Sequence, residues 1–326
     1  MNVIKKLYKY LISEVSAVDA ELQKDLPVDV VILQDVFKHI FNAGGKRLRP
    51  LLTLAIGKMT TNEWANLSTI YLAAAVELIH TATLLHDDVI DNASMRRNLQ
   101  TANNIWGNKT SILVGDNMFS KAFQLIVKSN KIMAFKELAD ASATISAAEV
   151  WQLQILHKVD ATIEEYIRLI TDKTAVLFGA ACAVGAITND CDDATINHAR
   201  NFGINFGICY QINDDWLDYT GDGDKMGKGT FQDIREGKVT LPMILLLKEL
   251  RSANYVDDIN YIENIYKGGD LDQLRIAAML KKFNIQAAIK NISKKYSENA
   301  LNALTNLNSN HNYLSTLMSD LSFSFE

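Results

Sequence analysis

The sequence predicts an all-α fold, and three observations support that prediction. Apolar residues recur with a helical period along nearly the whole chain, and no segment shows the alternation of a half-buried strand. Helix breakers are scarce, because the 326 residues include 3 prolines and 16 glycines. With 48% hydrophobic residues, the chain is also long and apolar enough to bury a large core.

The predicted helices follow one another from end to end. The N-terminal stretch MNVIKKLYKYLISEVSAVDAELQ mixes Lys, Glu and Asp among apolar residues, which is typical of an amphipathic helix and not of a signal peptide. A stretch rich in Gly, Lys and Asp at 222–240 predicts a mobile loop. Further helices are predicted over residues 62–91, from near Thr110, over 132–157, 162–187 and 193–222, and from Leu241 onwards.

Composition limits the organisation and the partners. No linker divides the chain, so residues 1–326 predict one domain, with a two-domain arrangement as the alternative. The net charge of -5 disfavours a nucleic-acid partner. Cys182, Cys191 and Cys209 form no CxxC pair, which is typical of a reduced, cytoplasmic protein. The longest apolar run, 177–187, is far shorter than the ~20 residues of a membrane span, so at most peripheral membrane contact is expected.

The stretch LLHDDVIDNASMRR, residues 84–97, brings three aspartates onto one predicted helix. Asp87 and Asp91 are four residues apart and therefore project from one face, one turn apart, with Asp88 beside them. Like charges at this spacing repel each other, so the arrangement is mildly destabilising unless a cation is present. We therefore interpret the stretch as a candidate site.

A second acidic cluster repeats the first. Asp214, Asp215 and Asp218 have the same spacing, 127 residues later, and again lie on a predicted helix beside an apolar stretch. One such cluster is also typical of a solvated helix face. Two copies favour a shared site, and two unrelated solvated faces remain the alternative.

The residue types indicate a metal of a particular kind. Carboxylates alone suit Mg²⁺, which binds one or two carboxylates together with substrate phosphates. The second cluster contains no His or Cys, which disfavours zinc. If the two helices face each other, Asp87, Asp91, Asp214 and Asp218 are expected to hold several Mg²⁺ ions around a polyphosphate.

Basic residues beside the acidic clusters predict the rest of an anion site. Arginine offers bidentate contacts to phosphate, and lysine a mobile point charge. Taken singly, most of these residues would be interpreted as surface residues that aid solubility. They are Lys46, Arg47 and Arg49 in GGKRLRP, Arg96 and Arg97, Lys173 with Thr174 in DKTA, and Lys225, Lys228 and Lys238.

Together these motifs resemble the trans-prenyltransferases, the head-to-tail polyprenyl diphosphate synthases, and most closely the bacterial octaprenyl type. The resemblance rests on GGKRLRP, HTATLLHDDVIDNASMRR, DKTA, YQINDDWLD and GKGTFQDIREGKVTLP, in the family's order within residues 44–242. It implies a single large helical bundle of the isoprenoid synthase type around a deep central cavity, usually as a homodimer. It also implies Mg²⁺-dependent condensation of isopentenyl diphosphate with an allylic diphosphate, farnesyl diphosphate being the expected primer.

The resemblance also assigns roles to individual residues. Without the motif, His80 would be interpreted as an ordinary core histidine. The implied metal ligands are Asp87, Asp91, Asp214 and Asp218, with Asp88 more peripheral. The implied contacts to the allylic diphosphate are Arg96, Lys173, Thr174, Gln211 and Lys228, and those to isopentenyl diphosphate are Lys46, Arg49, His80 and Arg97. Lys238 is a further expected substrate contact.

Product length depends on two positions before the first cluster. In the family, an aromatic residue there stops the chain early, whereas Ala82 and Thr83 are small. The sequence therefore predicts a long product, about octaprenyl and destined for quinone side chains. The alternatives are a farnesyl or geranylgeranyl diphosphate synthase, a terpene cyclase, or a non-catalytic partner subunit.

Three positions depart from the family pattern. Asn98 and Phe231 stand where glycine is common, and Asp172 precedes Lys173 where Ser or Tyr is common. Phe231 lies in the predicted lid segment at 222–240, so its effect on lid motion is an open question. None of the departures removes a predicted metal ligand.

Overall fold

A computed structural model describes residues 3–24, 26–61, 65–220, 230–307 and 312–323. Within these ranges the elements are helices, apart from one short antiparallel hairpin that pairs Met95–Arg96 (β1) with Leu99–Gln100 (β2). The all-α prediction is confirmed.

Seventeen α-helices and one π-helical turn make up the described fold. The first eleven are α1 Val3–Tyr10, α2 Ile12–Gln23, α3 Val31–Asn42, α4 Leu48–Thr61, α5 Leu67–Ile90, α6 Ala102–Trp106, α7 Asn108–Lys128, α8 Ile132–Gln154, α9 Ile163–Ile170, α10 Val176–Ile187 and α11 Asp193–Thr220, with the π-helical turn Thr171–Ala175 between α9 and α10. The remaining six are α12 Gln232–Arg235, α13 Leu241–Ser252, α14 Val256–Tyr266, α15 Gln273–Lys282, α16 Ile285–Thr305 and α17 Asn312–Phe323.

The helix boundaries follow local chemistry that the apolar pattern does not reveal. The helix predicted over 62–91 begins at Leu67, because the Asn66 side chain caps it by accepting a hydrogen bond from the Thr69 N–H. The helix predicted over 162–187 is interrupted by the π-helical turn. Within the stretch predicted as a loop, the described residues 230–240 contain the short helix α12.

Helices α10 and α11 form the tightly packed centre of the bundle. Every residue of α10 from Leu177 to Ile187 is buried, as expected of a helix that is apolar on all sides. Gly203 of α11 lies against the backbone of α10, where an added Cβ would be 2.3 Å from the Phe178 carbonyl oxygen. This close contact fixes α11, with its acidic cluster, beside the π-helical turn that carries Lys173.

Two apolar helical stretches, Leu67–Ile90 and Ile163–Ile187, are long enough to cross a membrane. Most of each stretch is buried inside the fold. Core helices meet the same criteria of length and composition, so the two stretches are weak evidence for a membrane span.

The buried apolar side chains form two clusters, one around α5 and α10 and the other around α13 and α16. Both clusters include residues of α11, and Tyr296 packs against both. One domain over residues 1–326 stays a prediction.

Candidate active site

A cavity of about 700 Å³ lies between the acidic ends of α5 and α11. Residues from both predicted acidic clusters line it, although 127 residues separate the clusters in the sequence. The predicted site residues in its wall are Arg49, His80, Thr83, Asp87, Asp91, Arg96, Arg97, Lys173, Thr174, Gln211, Asp214, Asp218 and Lys238.

Three predicted residues lie outside the cavity wall, and a fourth is not among the described residues. Asp88 is buried outside the cavity wall, and Ala82 is fully buried in the core. Lys46 is exposed near the rim, with its Nζ 6.0 Å from the ring centroid of the cavity residue Tyr210. Lys228 lies outside the described residues.

The first acidic cluster occupies the C-terminal end of α5, an unfavourable place for negative charge. The last turn of α5 contains no basic residue, and a helix C-terminus carries a partial negative charge of its own. Two cations offset part of this repulsion. The Arg96 Nε donates a hydrogen bond to Asp88 at 2.8 Å, and the Lys238 Nζ lies 3.5 Å from a carboxylate oxygen of Asp91.

Asp87 bears the largest electrostatic cost among these carboxylates. The pKa of Asp87 is raised to about 7, chiefly by burial and next by the neighbouring Glu149, while Lys173 and Arg96 oppose the shift. A bound divalent cation would favour the ionised carboxylate.

Glu149 of α8 is a cavity residue that sequence reasoning missed. Its carboxylate accepts a hydrogen bond from the Lys173 Nζ at 2.8 Å, and the Gln152 Oε1 accepts another at 3.1 Å. Glu149 is four residues from the buried Ile145, so it projects from the same face of α8. An isolated acidic residue at core spacing was the sequence signal that could have identified it.

Lys238 connects the segment after α12 to the first acidic cluster. Its Nζ donates a hydrogen bond to Glu236 at 2.6 Å and lies within salt-bridge distance of Asp91. Burial alone would lower the pKa of Lys238, but Asp91 and Glu236 outweigh burial and raise it. The lysine is therefore cationic at the mouth of the cavity.

A basic cluster around Arg49 and His80 also lines the cavity. The guanidinium of Arg49 stacks 4.1 Å from the ring centroid of Phe178, and its NH1 lies 3.1 Å from the Nε2 of His80. Burial, followed by the neighbouring arginines, lowers the pKa of His80 well below its usual value. Because arginine can only donate, the neutral His80 accepts at Nε2 and carries its proton on Nδ1.

Glu77 is a second carboxylate that sequence reasoning missed. It is buried on α5, where burial raises its pKa against the opposing effect of Arg47, Arg49 and Arg97. An acidic residue within the apolar run of α5 was the available signal. Its position gives the basic cluster a buried carboxylate as a counter-charge.

Asp218 accepts hydrogen bonds from the start of α12. One of its carboxylate oxygens accepts from the Gln232 N–H and the other from the Asp233 N–H, both at 3.1 Å. A carboxylate oxygen can accept more than one contact, so these two hydrogen bonds do not by themselves exclude metal binding. Asp218 therefore ties the second acidic cluster to the segment that carries Lys238.

The two positions where the family commonly has glycine both have positive φ. Asn98 has φ 62° and Phe231 has φ 60°. Asparagine tolerates this left-handed conformation, whereas phenylalanine rarely adopts it. Phe231 is buried, and its ring packs edge-on against Tyr219 with centroids 5.4 Å apart. That packing offsets the backbone cost and holds the start of α12 against α11.

The cavity also has an apolar part next to the first acidic cluster. Thr83 lies one turn before Asp87 on α5, and its hydroxyl donates a hydrogen bond to the carbonyl of His80 at 2.8 Å. The hydroxyl is therefore satisfied within the helix. Ile145 and Leu177 line the cavity together with Thr83. This lining suits a hydrocarbon chain.

The described side chains alone do not complete a metal site, so a bound metal would need further ligands from water or substrate. Among the described residues, no group of three or more His, Cys, Asp or Glu side chains converges on one metal position. Mg²⁺ fits such a site, because it keeps several waters and is bound by one or two carboxylates plus substrate phosphates. Carboxylates from two helices, with cations around them, are a donor set for a metal–diphosphate group.

Comparison with known proteins identifies the family to which the chain belongs. The sequence pattern of the polyprenyl synthetase family matches residues 30–282. The chain belongs to the polyprenyl synthetase family. It is 35% identical to the octaprenyl diphosphate synthase of Escherichia coli over 241 residues, which cover 74% of each chain. It is equally similar, at 35% over 280 residues and 83% of each chain, to the geranylgeranyl diphosphate synthase of Saccharolobus solfataricus.

A solved structure of this family has the same fold. The polyprenyl synthase of Caulobacter crescentus, crystallised with calcium and isoprenyl diphosphate, is 34% identical and superposes with a TM-score of 0.88. The superposition covers 99% of this chain and 97% of that one. The chain is thus a prenyltransferase of isoprenoid biosynthesis with the isoprenoid synthase fold. Because polyprenyl synthetases of different product lengths are equally similar to it, identity alone does not determine its product.

Proposed function

We propose that the protein condenses isopentenyl diphosphate with farnesyl diphosphate, in a Mg²⁺-dependent reaction, to make a long all-trans polyprenyl diphosphate. The observation that supports this most strongly is that one cavity is lined both by residues of the two acidic clusters and by apolar side chains. A cytoplasmic location and a product of octaprenyl length for quinone side chains are part of the proposal.

The proposed metal ligands are the carboxylates of Asp87, Asp91, Asp214 and Asp218, with Asp88 held aside by Arg96. Mg²⁺ bound there supplies Lewis-acid stabilisation of the charge that develops on the departing diphosphate. Its positive charge also relieves the repulsion among the carboxylates.

The allylic diphosphate is proposed to contact Arg96, Lys173, Thr174, Gln211 and Lys228. Lys173 donates hydrogen bonds to Glu149 and Gln152, which keep its ammonium group in the cavity wall. A rotation of the lysine side chain would bring that group to a bound phosphate. These cations add to the stabilisation of the leaving group.

Isopentenyl diphosphate is proposed to bind to Lys46, Arg49, His80 and Arg97. The neutral His80 contributes its Nδ1–H as a donor, while Arg49 contributes a charge. With both diphosphates bound in the same cavity, the C=C bond of isopentenyl diphosphate would be held beside the allylic carbon.

In the reaction, the allylic C–O bond breaks, the C=C bond of isopentenyl diphosphate forms the new C–C bond, and a proton leaves the adjacent carbon. No described side chain stands out as a base, so the released diphosphate is the proposed acceptor of that proton. The chain's own contribution is to bind and orient both substrates and to exclude water, which would convert the allylic cation to an alcohol.

Asp87→Ala and Asp214→Ala are each expected to lower turnover by at least about a hundredfold. Each variant removes a proposed ligand of the Mg²⁺ that would stabilise the charge on the leaving diphosphate. The assay follows incorporation of labelled isopentenyl diphosphate, with Mg²⁺ or with EDTA, and circular dichroism checks the fold. Asp140→Ala, at an exposed position on α8, is the matched control and should behave as wild type. Near-normal turnover in either cluster variant would contradict the metal assignment.

Thr83→Phe is expected to shorten the product, because an aromatic ring one turn below Asp87 would fill the apolar part of the cavity. Thr83→Ser should leave product length unchanged. Mass spectrometry of the dephosphorylated products from farnesyl diphosphate measures the length. If the wild-type products stop at the geranylgeranyl length, the shorter-chain alternative is favoured. The similarity to the geranylgeranyl diphosphate synthase of Saccharolobus solfataricus is the reason to test that alternative.

The proposed homodimer is supported by exposed apolar side chains on α7 and α8. Leu113 and Val127 of α7, and Ile132 and Val150 of α8, are each more than half exposed. Their spacings place each pair on one face of its helix, and large exposed apolar patches commonly mark protein interfaces. A second copy of the chain is the proposed partner.

Val127→Lys combined with Val150→Lys is expected to give a monomer, because a charge in an apolar interface is not compensated. Val28→Lys combined with Val31→Lys is the matched control, since these valines are equally exposed before α3 and on its first residue. Light scattering after size-exclusion chromatography measures the mass. A wild-type monomer, or dissociation by the control pair, would be evidence against this interface.

A further inference from the structure

Asp215 is a buried carboxylate in the second acidic cluster that the proposed metal set does not use. It is 5% exposed, whereas its neighbour Asp214 is exposed. One oxygen of Asp215 accepts a hydrogen bond from the Tyr166 hydroxyl at 2.6 Å, and the other accepts one from the Gln211 Nε2 at 2.7 Å. Tyr166 of α9 is itself buried.

The hydrogen bonds continue from Gln211 to Thr174. The Thr174 Oγ1 and the Gln211 Oε1 are 3.0 Å apart. The amide nitrogen of Gln211 donates to Asp215, so its amide oxygen faces Thr174. The amide oxygen only accepts, so the Thr174 hydroxyl donates to it. The direction of every bond in this chain is therefore fixed by chemistry.

The direction determines what the cavity wall offers to a ligand. The Thr174 hydroxyl donates to Gln211, which holds the amide oxygen of Gln211 towards Thr174. Gln211 keeps one N–H that is not used within the chain of bonds, and both residues line the cavity. The side chain of Gln211 is flexible, so its remaining N–H points in a fixed direction only while Asp215 accepts the hydrogen bond from the same amide nitrogen.

We propose that Tyr166 and Asp215 are positioning residues for the allylic diphosphate: Tyr166 fixes the carboxylate of Asp215, which aims the remaining N–H of Gln211 into the cavity. The proposal rests on the proposed function, since it assigns Gln211 to that diphosphate. It also gives Thr174, itself a proposed contact of that diphosphate, the further role of orienting Gln211.

The tyrosine at position 166 links different elements of the cavity wall through these hydrogen bonds. Tyr166 lies on α9, Thr174 on the π-helical turn that follows, and Gln211 and Asp215 one turn apart on α11. The bonds thus join three elements of the cavity wall: α9, the π-helical turn and α11. Single-turn π-helical insertions occur frequently at functional sites, and this one also carries Lys173.

The test is a double-mutant cycle that separates positioning from simple structural support. Tyr166→Phe removes one hydroxyl, and Gln211→Ala removes the amide through which that hydroxyl is proposed to act. Tyr166→Phe should raise the KM for the allylic diphosphate by about tenfold, the size expected for loss of one hydrogen bond to a charged group, and leave the KM for isopentenyl diphosphate unchanged. In the Gln211→Ala background, Tyr166→Phe should have no additional effect on either KM.

Tyr261→Phe is the matched control. The Tyr261 hydroxyl accepts a hydrogen bond from the Asp272 N–H at 2.8 Å, and this tyrosine does not line the cavity. Its loss should leave both KM values unchanged, even if the melting temperature falls.

Three results would overturn the proposal: an unchanged allylic KM in Tyr166→Phe, additive effects in the double variant, or an equal rise of both KM values accompanied by a loss of stability. Gln211→Ala with wild-type kinetics would also overturn it. A folded wild-type chain without turnover would instead contradict the proposed function on which it rests.

Discussion

Repulsion between carboxylates at one mouth of the cavity is the constraint on which the rest of the site depends. The clusters on α5 and α11 lie near helix C-termini, where the helix dipole adds to the unfavourable charge, and neither final turn contains a basic residue. Tight packing at Gly203 holds α11 in place, so the carboxylates cannot relax apart as a surface cluster would. Cations must therefore come from elsewhere in the chain or from the ligand.

The neighbouring residues are explained by this constraint. Arg96 neutralises Asp88, Lys238 approaches Asp91, and Lys173 is held by Glu149 until an anion competes for it. The basic cluster is balanced by the buried Glu77. Both halves of the site thus carry charge that a ligand would neutralise: a metal–diphosphate group in the acidic half and a second diphosphate in the basic half. This is why the protein offers no preformed cluster of three metal ligands among its described residues.

The sequence was informative where chemistry repeats along a helix and uninformative where it arises between helices. The acidic clusters could be recognised because aspartates one turn apart are a local pattern. Glu149 gave only the signal of an acidic residue at core spacing, and Tyr166 gave none, because each acquires its role from a partner on another element, Lys173 and Asp215 respectively. The fold class followed from apolar periodicity, but the π-helical turn did not, since it depends on packing. Phe231 looked like a defect in a glycine position, and burial against Tyr219 explains how it is tolerated.

The central claim is that the carboxylates hold diphosphate only through a divalent cation. Isothermal titration of inorganic diphosphate into the protein, with Mg²⁺ or with EDTA, tests it without depending on turnover or product length. We expect binding with Mg²⁺, no measurable binding with EDTA, and loss of the Mg²⁺-dependent binding in Asp214→Asn. Equal affinity with and without the metal would contradict it, because the basic residues alone would then be sufficient to bind the anion.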